Sequence, residues 1–211
     1  MSHYTAPQYA HSALITIDVQ QDFLDGEPFE IAGTSAAVPA MARLAEYFRH
    51  KNRPIVHIVR LYRADGSNAD PCRREVLEQG TSLVRPGSTG AQLAATLLER
   101  SGITLDAELL LSGGIQSVGP KESIVYKPRW GAFFGTPLEA HLRGLRVSTL
   151  VFAGCNFPNC PRTSIYEASE RDFRVVAVKD AISGFYDRGG AELEAIGVRV
   201  MDLARFLTQA A

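Results

Sequence analysis

The chain is short of net charge, of cysteine and of long apolar runs, and each shortage removes a class of protein. Its 22 Lys and Arg against 23 Asp and Glu leave a formal net charge of −1, so no overall basic field draws it to nucleic acid or an anionic membrane. No apolar stretch nears the ~20 residues that cross a bilayer. The opening residues, MSHYTAPQYAHS, lack a basic segment followed by an apolar one, so they do not read as a secretory signal. Residues 1–12 are expected to form a flexible tail. Three cysteines, Cys72, Cys155 and Cys160, are odd in number and give no disulfide framework, so a cytoplasmic setting with free thiols is expected. Repeats and low-complexity linkers are also missing. Residues 13–211 therefore read as one domain, 45% hydrophobic and 21% charged over the whole chain, which is ordinary for a globular protein.

What is present is an alternation of strand and helix patterns. ALITID (13–18) is an apolar run ending in a carboxylate and predicts a buried strand. Residues 35–51 put Val38, Met41, Leu44, Ala45 and Phe48 on one helical face. IVHIVR (55–60) predicts a second strand. Residues 61–88 are polar and broken by Gly and Pro, so they read as a long irregular wall or lid. GAQLAATLLERSG (90–102) predicts a helix stopped by Gly102. The strand ESIVYK (122–127), a helix opened by Thr136 and Pro137, the strand VSTLVFAG (147–154) and a helix from Pro161 follow. A strand over 174–180, a helix over 191–197 and a strand over 198–202 close the pattern. It implies an α/β fold with a mostly parallel sheet, whose sites form beyond the carboxyl ends of the strands. Asp18, Lys127 and the loop of Cys160 all stand at such ends.

Cys160 directly precedes a proline suited to the first turn of a helix, which leaves its sulfur near the unpaired amides of that turn. An ordinary thiol, with a pKa of about 8.5, is mostly protonated at neutral pH. Lowering that to about 6 takes ~3.4 kcal/mol, more than the ~0.3–2 kcal/mol a helix N-terminus supplies. A cation or a base must add to it, and Lys127 and Asp18 are the candidates. Taken singly, each of the three has a plainer reading: a small buried thiol, a turn carboxylate, a solvated lysine. Cys155 is a rival nucleophile without a helix behind it, and Cys72 lies in the long polar loop.

The stretches DVQQDF (18–23), KPRWGAFFGTPLEAHLR (127–143) and AGCNFPNC (153–160), in that order, resemble the isochorismatase-like cysteine hydrolases. Members include nicotinamidases, N-carbamoylsarcosine amidases, ureidoacrylate amidases and isochorismatases. The resemblance runs from about residue 13 to 203. It implies a Rossmann-like three-layer αβα fold, with Cys160 as nucleophile, Asp18 as general base and Lys127 as the supporting cation. It further implies a cis Cys155–Asn156 peptide and an oxyanion hole made by the backbone N–H groups of Asn156 and Cys160. The chain departs from many relatives at Phe157-Pro158, where they carry Thr followed by Asn or Asp.

Family positions place Phe23, Trp130 and Phe134 in the pocket, with Gln20 as a hydrogen-bonding residue there or just behind it. The arginines of the 62–74 segment, Arg63, Arg73 and Arg74, and also Arg162, are candidates for pairing with a substrate carboxylate. Nicotinamidases of the family carry an Asp-x-His and a further His after the second strand; here that stretch is HIVRLYRADGSNAD, so no metal and no cofactor is expected. The expected activity is metal-independent hydrolysis of a small amide or ureido compound, releasing ammonia. A vinyl ether hydrolase of the isochorismatase type and a catalytically silent ligand-binding member are the alternatives. The expected partners are a small-molecule substrate and further copies of the chain in a dimer or larger assembly.

Overall fold

Neighbouring residues of a strand face opposite ways, and the core of this protein divides accordingly. The computed structural model describes residues 3–211. In β1 (Ser12–Ile17), Ala13, Ile15 and Ile17 pack with Leu138, Leu142, Ile165, Ala168 and Leu193 on one side of the sheet. Leu14 turns to the other side, against Met41, Leu44, Phe48 and Phe206. The strand is buried along its whole length, as its unbroken apolar run predicts.

The remaining strands are β2 (Ile55–Val59), β3 (Ile115–Gly119), β4 (Glu122–Tyr126), β5 (Thr149–Gly154), β6 (Arg174–Ile182) and β7 (Arg199–Met201). Among the described residues they form one seven-stranded sheet in the order β3-β4-β2-β1-β5-β6-β7. Every neighbouring pair is parallel except the edge pair β3–β4. The helices are α1 (Thr34–His50), α2 (Pro71–Glu78), α3 (Ala107–Leu111), α4 (Leu138–Gly144), α5 (Cys160–Ser169), α6 (Asp187–Ala195) and α7 (Leu203–Gln209). Residues of α1 and α7 cover one face, and those of α4, α5 and α6 the other. The molecule is the three-layer α/β sandwich expected. No described helix is long and apolar enough to cross a membrane.

Three expectations need correction. Residues 90–102 do not form a helix; a single 3-10 turn, Ala95–Leu97, is all that winds there. The backbone pairs instead with the segment after β1, through Gln21 N–H to Gln92 O, Asp22 N–H to Gly90 O and Ala94 N–H to Val19 O, each 2.9 Å. That tertiary pairing overrides the helical spacing. It also needs a glycine: a Cβ on Gly90 would lie 1.9 Å from the Asp22 carboxylate. Conversely, the 61–88 segment is not irregular throughout, since α2 lies inside it, with Pro71 in its first turn and only Leu77 buried. The helix expected over 191–197 begins four residues earlier, at Asp187, and ends at Ala195.

In the N-terminal segment, Met1 and Ser2 lie outside the described residues. Gln8 is held through N–H to Thr149 Oγ1 at 2.9 Å, Tyr9 packs edge-on against Phe206, and Ser12 already begins β1.

Candidate active site

Strand order reverses at β1, whose successive neighbours lie to one side through β2 and to the other through β5. A crevice opens at the carboxyl ends of such strands. Asp18 follows β1, Arg60 follows β2, Lys127 follows β4, and the turn 155–159 joins β5 to α5. Asp18 takes a left-handed backbone conformation, φ 51°, which Asp tolerates better than most residues. Gly154 lets the end of β5 lie directly on β1, because a Cβ there would stand 2.3 Å from Ile17 O. The turn after it contains the cis Cys155–Asn156 peptide. Its backbone is tied by Cys155 N–H to Ile17 O at 2.9 Å and Phe157 N–H to Ser183 O at 2.8 Å. Among the described residues, the N–H groups of Asn156 and Cys160 have no hydrogen-bond acceptor.

Lys127 is fully buried. Its Nζ lies 2.8 Å from Asp18 Oδ2 and 3.3 Å from Cys160 Sγ, and donates to Arg129 O at 3.2 Å. The structure thus brings Asp18, Lys127 and Cys160 together around one ammonium group. Asp18 Oδ1 is buried without a hydrogen-bond partner. The Cys160 thiol is pushed up to about 11, chiefly by burial and then by the Asp18 carboxylate; Lys127 and Arg60 pull it the other way without prevailing. Of the two aids expected from the sequence, a cation and a base, these surroundings favour a base that takes the proton. The sulfur keeps its proton until an acceptor takes it. Cys155 is also buried, donates to Asp18 O at 3.0 Å, and is pushed further up by burial and by the same carboxylate.

The cleft beside Cys160 is a narrow slot, offering about 40 Å³ to the centres of water-sized spheres. Phe23, Ile31, Leu83 and Trp130 give it apolar walls; Asp18, Arg60, Tyr62, Arg73, Asn156 and Asn159 give it polar ones. Arg60 is the buried cation that sequence reading missed. It is 3% exposed, and its Nη1 donates to Asp70 Oδ2 and Pro128 O, both at 2.9 Å. Nη2 donates to Arg129 O at 2.7 Å. Tyr62 donates to the same Asp70 oxygen at 2.8 Å, and the rings of Tyr62 and Trp130 lie 5.6 and 5.7 Å from the guanidinium. Burial lowers the affinity of Arg60 for its proton, but Asp18, Tyr62, Cys160 and Asp70 together raise it further, so the cation is secure. The one available signal was an arginine ending an otherwise apolar strand pattern.

Of the other residues singled out in the sequence, Phe23 and Trp130 line the slot. Gln20 stands behind it, fully buried, with Nε2 donating to Arg60 O and Ala91 O and Oε1 accepting from Arg60 N–H. Phe134 is 59% exposed and outside the lining. Arg63 is exposed and also outside it. Arg162 turns to Glu192 and to the Tyr186 hydroxyl. Among the described residues, no three His, Cys, Asp or Glu side chains gather in a metal-holding group. His57 is spent on Thr16 and Glu122 inside the sheet, and Arg60, Tyr62 and Arg73 stand on the slot's wall instead. This donor set does not fit a metal.

The fold is thus a doubly wound α/β sandwich with a buried cysteine, lysine and aspartate at its topological switch. The isochorismatase domain matches residues 12–103 and 114–204, and the chain belongs to that family of hydrolases. An isochorismatase family protein from Desulfovibrio vulgaris superposes with a TM-score of 0.80 at 31% identity, covering 94% of this chain and 97% of its own. The ureidoacrylate amidohydrolase RutB of Methylobacterium radiotolerans is 25% identical, over 82% of this chain and 67% of that one. A probable inactive nicotinamidase of Arabidopsis thaliana is 27% identical, over 83% and 82%.

Proposed function

We propose that the protein is a cysteine amidohydrolase that cleaves a C–N bond of a small amide or ureido compound through a Cys160 thioester, with release of ammonia. The observation that carries this reading is the buried Lys127 ammonium, in contact with both the Asp18 carboxylate and the Cys160 sulfur. Because the thiol rests protonated, attack is coupled to proton transfer. As Cys160 Sγ bonds to the substrate carbonyl carbon, its proton passes to Asp18. Lys127 holds the carboxylate in place and offsets charge on the sulfur.

The carbonyl oxygen becomes an oxyanion, for which the free N–H groups of Asn156 and Cys160 are the available donors. Collapse breaks the C–N bond, and the proton on Asp18 goes to the leaving nitrogen. Water then gives a proton to Asp18 and attacks the thioester. The C–S bond breaks and the thiol is restored. No step passes through a metal.

A second reading, a silent member that binds without turnover, draws on the elevated thiol pKa and on similarity to a relative named as inactive. One experiment separates the two. Ammonia release is measured from a panel of primary amides and ureido acids, without added metal, for the wild type and Cys160→Ala. Release by the wild type that is lost in the variant is expected. Release that survives Cys160→Ala refutes the thioester route, and no release from any compound leaves the binder.

A further inference from the structure

Between Gly154 and Pro161 the chain makes a turn whose main-chain donors can be followed one by one. Cys155 N–H goes to Ile17 O at 2.9 Å, Phe157 N–H to Ser183 O at 2.8 Å and Asn159 N–H to Asn156 O at 3.1 Å. Pro158 has no N–H to give. Among the described residues this leaves Asn156 and Cys160 as the donors open to an oxyanion, with no other N–H of the turn competing for it. A proline also fixes its own φ and restricts the residue before it, so Phe157-Pro158 stiffens the middle of the turn. This pair is where the chain departs from many relatives.

Phe157 is fully buried and lies outside the lining of the slot. Its ring packs 4.3 Å from that of Phe185 and edge-on to Tyr186 at 5.2 Å. Helix α6 makes room for this group with glycine: a Cβ on Gly189 would stand 2.3 Å from the Phe157 ring, and one on Gly190 would stand 3.1 Å from the Phe185 ring. Glycine is a poor helix former, so two in succession near the start of α6 mark a place where packing outweighs propensity. The outer side is tied as well. The Tyr186 hydroxyl accepts from Arg162 Nη1, and Arg162 pairs with Glu192 of α6. The turn, the first residues of α5 and the whole of α6 are thus fastened together around one aromatic side chain.

We propose that Phe157 is a positioning residue for the oxyanion hole: its ring, seated against Phe185, Tyr186 and Gly189, sets where the Asn156 and Cys160 N–H groups point. The proposal rests on the amidohydrolase reading for the use made of those donors. Hydrogen bonds to an oxyanion act in the transition state, so a small displacement of the donors costs rate and leaves access to the thiol as it was.

The test compares two reactions of the same sulfur. Acylation of Cys160 by p-nitrophenyl acetate passes through a tetrahedral oxyanion and releases p-nitrophenolate; alkylation by iodoacetamide displaces iodide and forms no oxyanion. Peptide mass spectrometry locates each label, and the ratio of the two rates at Cys160 reads the hole apart from the thiol. Phe157→Leu, which leaves part of the seat empty, and Gly189→Ala, which drives a Cβ into the ring, are each expected to slow acylation about tenfold or more while alkylation stays within about twofold. Tyr186→Leu, at a partly exposed residue, gives the same reading should the buried variants not fold, and is expected to lower the ratio in the same direction. A fall of both reactions by one factor marks a merely structural role and overturns the proposal, as does a ratio unchanged in the variants that fold. Wild-type Cys160 that is not acylated at all refutes the thioester reading itself, and the proposal falls with it.

Discussion

Replacing Lys127 by Met keeps the shape of the side chain and removes its charge, which isolates what the ammonium does. Lys127 is fully buried and donates to one Asp18 oxygen at 2.8 Å, while the other oxygen has no partner. After Lys127→Met the carboxylate is left buried with neither oxygen paired. Breaking a buried ion pair from one side costs about 3–5 kcal/mol, which for a chain of this size lowers the melting temperature by about 6–20 °C. Most of that is the penalty of the stranded carboxylate and not the worth of the pair. Lys127→Met/Asp18→Asn is therefore expected to be more stable than Lys127→Met alone, by roughly 2 kcal/mol. Urea unfolding of the wild type, both single variants and the double variant gives the cycle. Iodoacetamide labelling of Cys160 in Lys127→Met should also slow, because Lys127 opposes the burial that pushes the thiol up. A loss below about 1 kcal/mol in Lys127→Met, or strict additivity in the double variant, would refute the reasoning.

Two further perturbations test the frame around the slot. Gly154→Ala puts a Cβ 2.3 Å from Ile17 O at a residue whose φ is 128°, and should cost about 3 kcal/mol or more in urea unfolding; a loss within about 1 kcal/mol sinks that account. Inside the sheet, burial raises the Glu122 carboxyl, but hydrogen bonds from Arg49 and His57 outweigh it and hold the group down at about 2. A carboxylate depressed in the folded state adds stability at pH above its unfolded value near 4.5, and loses it as pH falls toward 2. About 2–3 kcal/mol should disappear across that window at ~1.36 per unit. Glu122→Gln should flatten the decline; identical pH profiles for the two proteins would count against it.

The sequence made the sheet legible because its strands are buried on both faces and written as unbroken apolar runs, ALITID and VSTLVFAG being the clearest. Asp18, Lys127 and Cys160 were visible because each directly follows such a run or its turn. What escaped was decided by distant partners. The 90–102 segment has helical spacing, yet its backbone hydrogen bonds go to residues 19–22. Helix α2 is nearly all polar, so periodicity could not reveal it, although Asp70-Pro71 ahead of it and Gly80 behind were helix-boundary signals. Arg60 passed as the polar end of a strand, because only the fold brings Asp70, Pro128 and Arg129 around it.

Gln20 grips the main chain at Arg60 with one amide and, through the same nitrogen, at Ala91. It thereby fastens both ends of the segment that supplies Tyr62, Arg73 and Leu83 to the slot. The base is not its only tie, because within the loop Asp70 accepts from Arg60 and Asn68 donates to Tyr126 of β4. Between those ties the length is free to vary, since doubling a loop adds only about 0.6 kcal/mol of closure entropy. Beneath it Asp18 and Lys127 stand on strand ends and Cys160 at the start of α5, which a change of loop length would leave where they are. New pockets can be fitted to old chemistry here by changing one stretch of chain.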